Sequence, residues 1–255
     1  SPTHQAEALG LALARLFLLQ QGALANQILL PLDAHLDLFH TLKQTRDELG
    51  EAITLQRTDL ALFDLNAATR TICCNLVEVK CYNSVGGLSA YSHLKETITE
   101  QINQSENVLC RHFDPQWKIP DRPDRLLKTR EFTEHLEFYL GRSERYGIVE
   151  EDVYAEALFL LSTLEDGYNL QFTRSALIFD FEQPGTEAPE NEASIEFHRI
   201  GKDIIEALVA EARPLSVEPG QEPVVASESS TVPHLSSAAF IVPARDRSGS
   251  WSQQK

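Results

Sequence analysis

Methionine is missing from all 255 residues, position 1 included. On that ground the numbered chain is expected to be a piece of a longer protein. Cysteine is scarce, with only Cys73, Cys74, Cys81 and Cys110 and no CxxC pair. This spacing disfavours both a zinc ribbon and a disulfide framework. Set in or near apolar periodic segments, the four thiols read as reduced, buried small hydrophobes. No apolar run approaches the roughly 20 residues a membrane span needs, and the N-terminus lacks the basic start and small-residue cleavage site of a signal peptide. A soluble, cytoplasmic protein without a membrane partner is expected. The phosphate-cradling pattern GxxxxGK(S/T) is also absent, so any ATPase lies outside these residues.

Positive charge is in short supply: 22 Lys and Arg stand against 38 Asp and Glu, a net charge of −16. Taken as a whole, such a chain repels a nucleic-acid backbone, whose binding relies on phosphate neutralisation. The distribution is uneven, however. Many acids fall between Asp180 and Glu228, whereas Arg111, Lys118, Arg122, Arg125, Lys128 and Arg130 make a locally basic segment. That segment is either a DNA-binding face or an ordinary solvated surface.

With 42% hydrophobic residues, the chain can bury one substantial core. The spacing of Ala8, Leu9, Ala12, Leu16 and Leu19 predicts a helix over Gln5 to Gln20, ended by Gly22. A second helix is expected from about Asp33 to Gly50. The period then changes: Ala52 to Asp64 reads as a strand, Ala67 to Arg70 as a turn, and Thr71 to Tyr82 as a β-rich run. After Gly86-Gly87, the residues Leu94, Ile98, Ile102 and Leu109 predict a helix, and Pro115 to Pro123 a loop. Helices over about Arg125 to Leu140 and Glu150 to Leu164 are expected to form an added lobe, residues 122–168. Gln171 to Glu182 returns to strand character, Thr186 to Ala193 reads as an acidic linker, and Ile195 to Ala212 as one amphipathic helix. From Pro214 onward Pro, Ser, Glu and Gln dominate, the composition of a disordered tail. The expected fold is α/β, a mixed central sheet flanked by helices in one domain over residues 1–213.

The chemistry-bearing string is Arg57-Thr-Asp-Leu-Ala-Leu-Phe-Asp, followed after the turn by Asn75-Leu-Val-Glu-Val-Lys-Cys-Tyr. Alternate residues of a strand share a face, so Glu78 and Lys80 point one way while Val77, Val79 and Cys81 point the other. Charges on an otherwise buried strand are costly unless paired or holding a metal. A turn centred on Ala67 to Arg70 makes antiparallel partners sum to about 137, which sets Asp59 opposite Glu78. Opposed side chains lie roughly 5 Å apart at Cβ, close enough for two carboxylates to share one divalent ion. The same register carries the rival acid, Asp64, to Cys73, about 16 Å away along the strand. Two carboxylates with an adjacent lysine suit phosphodiester hydrolysis with Mg2+, which polarises the phosphate and lowers the pKa of the attacking water.

This acid, strand, turn, Glu-x-Lys, strand and helix order resembles the PD-(D/E)xK nuclease superfamily, especially its RecB-like and restriction-type members, over about Glu7 to Leu109. Thr58 stands where the superfamily name has proline. The resemblance implies a restriction-endonuclease-like core with Asp59, Glu78, Lys80 and Gln101 as catalytic residues, Gln104 being second choice for the last. It implies Asp59, Glu78, Val79 and Glu7 as ligands of Mg2+, with Mn2+ as a substitute. DNA is the implied partner, and the local basic segment offers Lys118, Arg122, Arg125 and Lys128 to hold it. The wider layout resembles the nuclease module that precedes FtsK/HerA-type ATPases in bacterial phage-defence proteins, including DptH-like restriction factors. It implies a downstream ATPase or translocase and oligomerisation through it. Two other expectations compete: a silent nuclease-fold module that binds DNA or docks a protein, and a scaffold in which the trio is only a salt bridge. Because the trio converges on one face, Asp59→Ala and Lys80→Ala should each abolish Mg2+-dependent cleavage and leave the thermal melt nearly unchanged.

The tail generates its own test. Removing Pro214 to Lys255 should leave the melting temperature unchanged, because that composition buries too little apolar surface to order the backbone. A loss of several degrees in calorimetry would show instead that Phe240-Ile-Val packs on the core.

Overall fold

A computed structural model describes residues 2–35, 58–117 and 123–212. Its elements are α1 (Pro2–Gln20), β1 (Ile28–Pro31), β2 (Leu60–Asn66), β3 (Thr71–Tyr82), α2 (Leu88–Phe113), α3 (Arg125–Arg145), α4 (Glu151–Ser162), β4 (Asn169–Asp180), β5 (Glu190–Glu192), β6 (Ile195–Ile200) and α5 (Lys202–Ala212). One sheet of six strands runs in the order β1-β2-β3-β4-β6-β5. The pairs β1/β2, β2/β3 and β5/β6 are antiparallel, while β3/β4 and β4/β6 are parallel. The molecule is therefore α/β with a mixed sheet, as the alternation of periods suggests. No helix among the described residues is long and apolar enough to cross a membrane.

Strand alternation sorts the core into two layers. Ala61, Phe63, Leu65, Ile72, Cys74, Leu76, Ala176 and Ile178 join α2, α3 and α4 in one apolar cluster. Leu60, Leu62, Val77, Val79, Leu177 and Phe179 join α1 and α5 in the other. Glu78 and Lys80 share the parity of Leu76, so they face the α2 layer. The expected helical elaboration packs on the sheet: Phe132, Leu136, Leu140, Leu160 and Leu161 belong to the same cluster as the strands. These helices complete one face of the fold.

The β2–β3 turn is held by side chains as well as by backbone. Asn66 Oδ1 accepts the Thr69 N–H at 3.0 Å, and Arg70 turns the chain with a φ of 51°. The Arg70 guanidinium is in turn anchored, donating to the Gly167 carbonyl at 2.6 Å and to the Thr163 carbonyl at 2.5 Å. Register follows from this turn: Leu60 lies opposite Val77 and Asp64 opposite Cys73. The sum of 137 therefore holds along the whole ladder.

Several expectations change. The buried face of α1 is Leu13, Ala14, Phe17 and Leu18, whereas Leu9 and Leu19 are exposed and Ala12 faces solvent. From Ala8 to Leu19 every residue except Gly10 and Arg15 is apolar, so periodicity alone does not choose a face. Packing does: Gly10 brings α1 close to β3, where a Cβ would lie 3.2 Å from Cys81 Sγ. Ile195 to Ala212 is not one helix but strand β6 followed by α5, with Gly201 between them. Parallel pairing with β4 buries Ile195 and Phe197 in one layer and Ile200 in the other. The acidic linker contains β5, joined to β6 through Ala193 and Ser194, both at positive φ. A two-residue hairpin loop of that kind normally announces itself with Asn-Gly or Asp-Gly, a signal missing here. Strand β1 is too short to show a period. The expected helix beyond His35, the first residues of the expected strand at Ala52, and Lys118, Arg122 and the tail lie outside the described residues.

Two glycines make opposite predictions for the melt. A Cβ on Gly201 would stand 2.6 Å from the Gly185 carbonyl carbon. Gly201→Ala should therefore cost about 1–3 kcal/mol in denaturant unfolding, as overpacking against backbone does. Gly141, inside α3 with no atom within 4 Å of a built Cβ, should gain up to ~1 kcal/mol as alanine.

Candidate active site

The acid at the head of β2 is fixed from three sides. Leu32 N–H donates to the Asp59 carbonyl at 3.0 Å, continuing the β1–β2 ladder by one residue. Thr58 N–H donates to Ser105 Oγ on α2 at 2.8 Å, a bond that proline at position 58 could not make. Asp59 Oδ2 accepts the Val79 N–H at 2.7 Å. The carboxylate is thereby bound to the residue between Glu78 and Lys80, as the register of the hairpin requires.

Glu78 is fully buried, and Lys80 Nζ lies 2.5 Å from its Oε1. The lysine side chain keeps 24% exposure, so its ammonium sits between the core and the surface. Burial by itself lowers the Lys80 pKa, but the charge and hydrogen bond of Glu78, with the charges of Asp59 and Tyr82, outweigh it and raise the value. The pairing with Glu78 thus favours the charged form of Lys80. Burial, then the Asp59 charge, pushes the Cys81 thiol up to about 11, and burial, then Asp64, does the same to Cys73. All four cysteines are free.

Beside Lys80 a cavity of about 480 Å³ opens between the end of β3 and α2. Gln101 lines it together with Lys80, whereas Gln104 bonds Glu100 on the partly exposed side of the helix. Gln101 is buried, and its Oε1 has no hydrogen-bond partner among the described residues. Such an acceptor costs about 1–3 kcal/mol to leave unmet. The sequence reading overlooked His93, Thr97 and Ser105. With Gln101 they recur every four residues, the stripe of one helical face, and that period was available as a signal.

The other candidates lie elsewhere. Glu7 is exposed on α1, the helix that covers the opposite face of the sheet. Gly10 packs against Cys81, so Glu7 is at the same end of β3 as the trio but behind it. Val79 turns its side chain into the α1 layer, which leaves only its carbonyl as a ligand atom. Of the basic segment, the described Arg125, Lys128 and Arg130 are not at the site, and Lys118 and Arg122 lie outside the described residues. Arg125 acts on Tyr168 and Arg130 pairs with Glu165 at 2.7 Å, both at the start of β4. That start pairs with Thr71, seven residues or about 23 Å along β3 from Glu78. Lys128 is engaged by Glu131 at 2.6 Å. The described members of the segment therefore do not flank the trio, and two of them are already neutralised.

Among the described residues no group of three or more His, Cys, Asp or Glu forms a metal cluster. The two carboxylates and a main-chain carbonyl still match Mg2+, a hard cation that takes oxygen ligands, keeps several waters and is commonly held by only one or two carboxylates. No protein-family model, curated protein or solved structure matched this chain.

The burial of Glu78 revises one expectation from sequence. Lys80→Met should lower stability by roughly 3 kcal/mol, because it strands a buried carboxylate. Adding Glu78→Leu to Lys80→Met should restore most of the loss in urea unfolding. An unchanged melt for the single variant would show that Glu78 is neutral or reaches water.

Proposed function

We propose that the chain is a metal-dependent nuclease of the PD-(D/E)xK kind, hydrolysing phosphodiester bonds in DNA with Mg2+ or Mn2+. The observation that carries this is the 2.7 Å bond from Val79 N–H to Asp59 Oδ2, which locks the acid of one strand against the Glu78-Val79-Lys80 step of the next. Two carboxylates and a lysine then share the end of one hairpin, next to a cavity large enough for a ligand. Asp59 and Glu78, with the Val79 carbonyl, are the groups that would hold the ion. When bound, it supplies Lewis-acid polarisation of the phosphate and an acidified water. Lys80 offers a fixed positive charge to the phosphate as negative charge builds on it. Asp59, held by two backbone bonds, keeps its orientation without reorganisation.

Electrostatics limits how substrate is held. The chain carries −16 overall, and the basic residues at the start of α3 lie far from Lys80, so among the described residues phosphate neutralisation near the scissile bond falls chiefly to Lys80, with the ion. Action in the cytoplasm as the nuclease part of an ATPase-coupled phage-defence or DNA-repair protein, with oligomerisation through that ATPase, extends the proposal. It is supported by the likeness in layout. A second function, a silent module that binds DNA or docks a protein, is favoured by one feature: Glu78 is wholly enclosed and already paired with Lys80.

Cleavage decides between them. The chain should cut DNA with Mg2+ or Mn2+ and not in EDTA, and Asp59→Ala should lose at least about a hundredfold in rate. Mg2+ should also raise the melting temperature of the parent and not of Asp59→Ala, since only the folded site binds the ion. Cutting by Asp59→Ala at the parent's rate overturns the proposal. A parent that neither cuts nor gains stability from the metal leaves the silent module standing.

A further inference from the structure

We propose that the cavity beside Lys80 is a pocket for one unpaired nucleobase, so that the chain takes single-stranded in preference to duplex nucleic acid. This names the substrate class of the phosphodiesterase proposed above and rests on it. At about 480 Å³ the cavity has the size of a small-ligand site. Its wall combines three kinds of group. Val85, Ala90 and Leu94 offer apolar surface to the flat face of a ring, and Gln101 adds a side-chain amide, donor and acceptor both, whose buried Oε1 lacks a partner among the described residues. Tyr82 and His93 lie exposed beside them, as stacking platforms for a base. Lys80 stands in the same wall, so a base in the cavity brings its own phosphate to the ammonium.

A base in a duplex has spent its Watson–Crick edge on its partner and its faces on its neighbours. It enters such a cavity only after being flipped out, at a cost in unpairing and unstacking that a single strand does not bear. Charge argues in the same direction. A chain of −16 repels a single strand less than a duplex, whose axial charge density is higher.

The test is a binding measurement, independent of cleavage. Fluorescence anisotropy at low salt, with Ca2+ in place of Mg2+, compares the full chain on three dye-labelled probes: oligothymidylate, an abasic strand of equal length, and a blunt duplex. Oligothymidylate should bind about tenfold tighter than either of the others, the scale of one stacked base. Gln101→Leu and His93→Ala should each reduce that preference and leave affinity for the abasic strand unchanged. The first substitution removes an unmet buried acceptor and the second an exposed ring, so both variants should fold, and a melt verifies it. Equal binding of oligothymidylate and the abasic strand, or preference for the duplex, overturns the pocket even if the chain cuts DNA. Base-dependent binding by a chain that never cuts upholds the pocket and overturns the nuclease.

Discussion

The register of the β2–β3 hairpin is the constraint on which the rest depends. Because side chains alternate along a strand, a slip of one residue would send Glu78 and Lys80 into the α1 layer and bring Val77 and Val79 to the cavity. The turn prevents this. Asn66 caps it, Arg70 adopts the left-handed conformation, and the Arg70 guanidinium is tied to the carbonyls before β4. A surface turn is thereby linked to the parallel half of the sheet, and the position of Asp59 at the other end of the ladder follows from it.

The hairpin also carries an unusual electrostatic load. A fully buried, ionised glutamate in a sheet interior needs a partner to offset its lost hydration, and Lys80 stands at contact distance. The same pair thus has two duties: it keeps the folded state from expelling Glu78, and it holds a carboxylate and an ammonium where the proposed chemistry needs them. Site strength and fold stability are not separable at these residues. Elsewhere ion pairs close the sheet edge, with Lys95 reaching Glu190 at 3.1 Å and also Glu192, and Arg199 reaching Asp180 at 2.8 Å. These pairs pin β5 and β6 beside α2 and leave Lys80 as the cation of the cavity wall.

Helix α2 joins the fold to the site. Its apolar stripe, including Ile98 and Ile102, packs on the sheet, while Ser105 receives the Thr58 N–H and Gln101 faces the cavity. One helix therefore sets both the approach of Asp59 and the shape of the space beside Lys80. A residue other than proline is required at position 58 in this arrangement, because the N–H that proline lacks is the one Ser105 accepts.

The sequence alone determined the mixed α/β character, the hairpin register and the convergence of Asp59, Glu78 and Lys80. All three follow from local periodicity and one turn, which are properties of contiguous residues. It also singled out Gln101, though not the His93, Thr97 and Ser105 stripe around it. Tertiary structure decided what local pattern leaves open. Which face of the largely apolar stretch Ala8 to Leu19 of α1 is buried was settled by packing on the sheet, where Gly10 approaches Cys81. Ile195 to Ile200 became a strand because β4 offered a parallel partner, and the helices after α2 joined the main core because Phe63 and Phe132 meet there. The remoteness of Arg125 and Lys128 from Lys80 was likewise invisible, since composition records how many charges a segment has and not where the fold carries them. The burial of Glu78 belongs with these: the alternation of a strand tells which face a side chain takes, and only the packing of α2 over that face decides how little water reaches it.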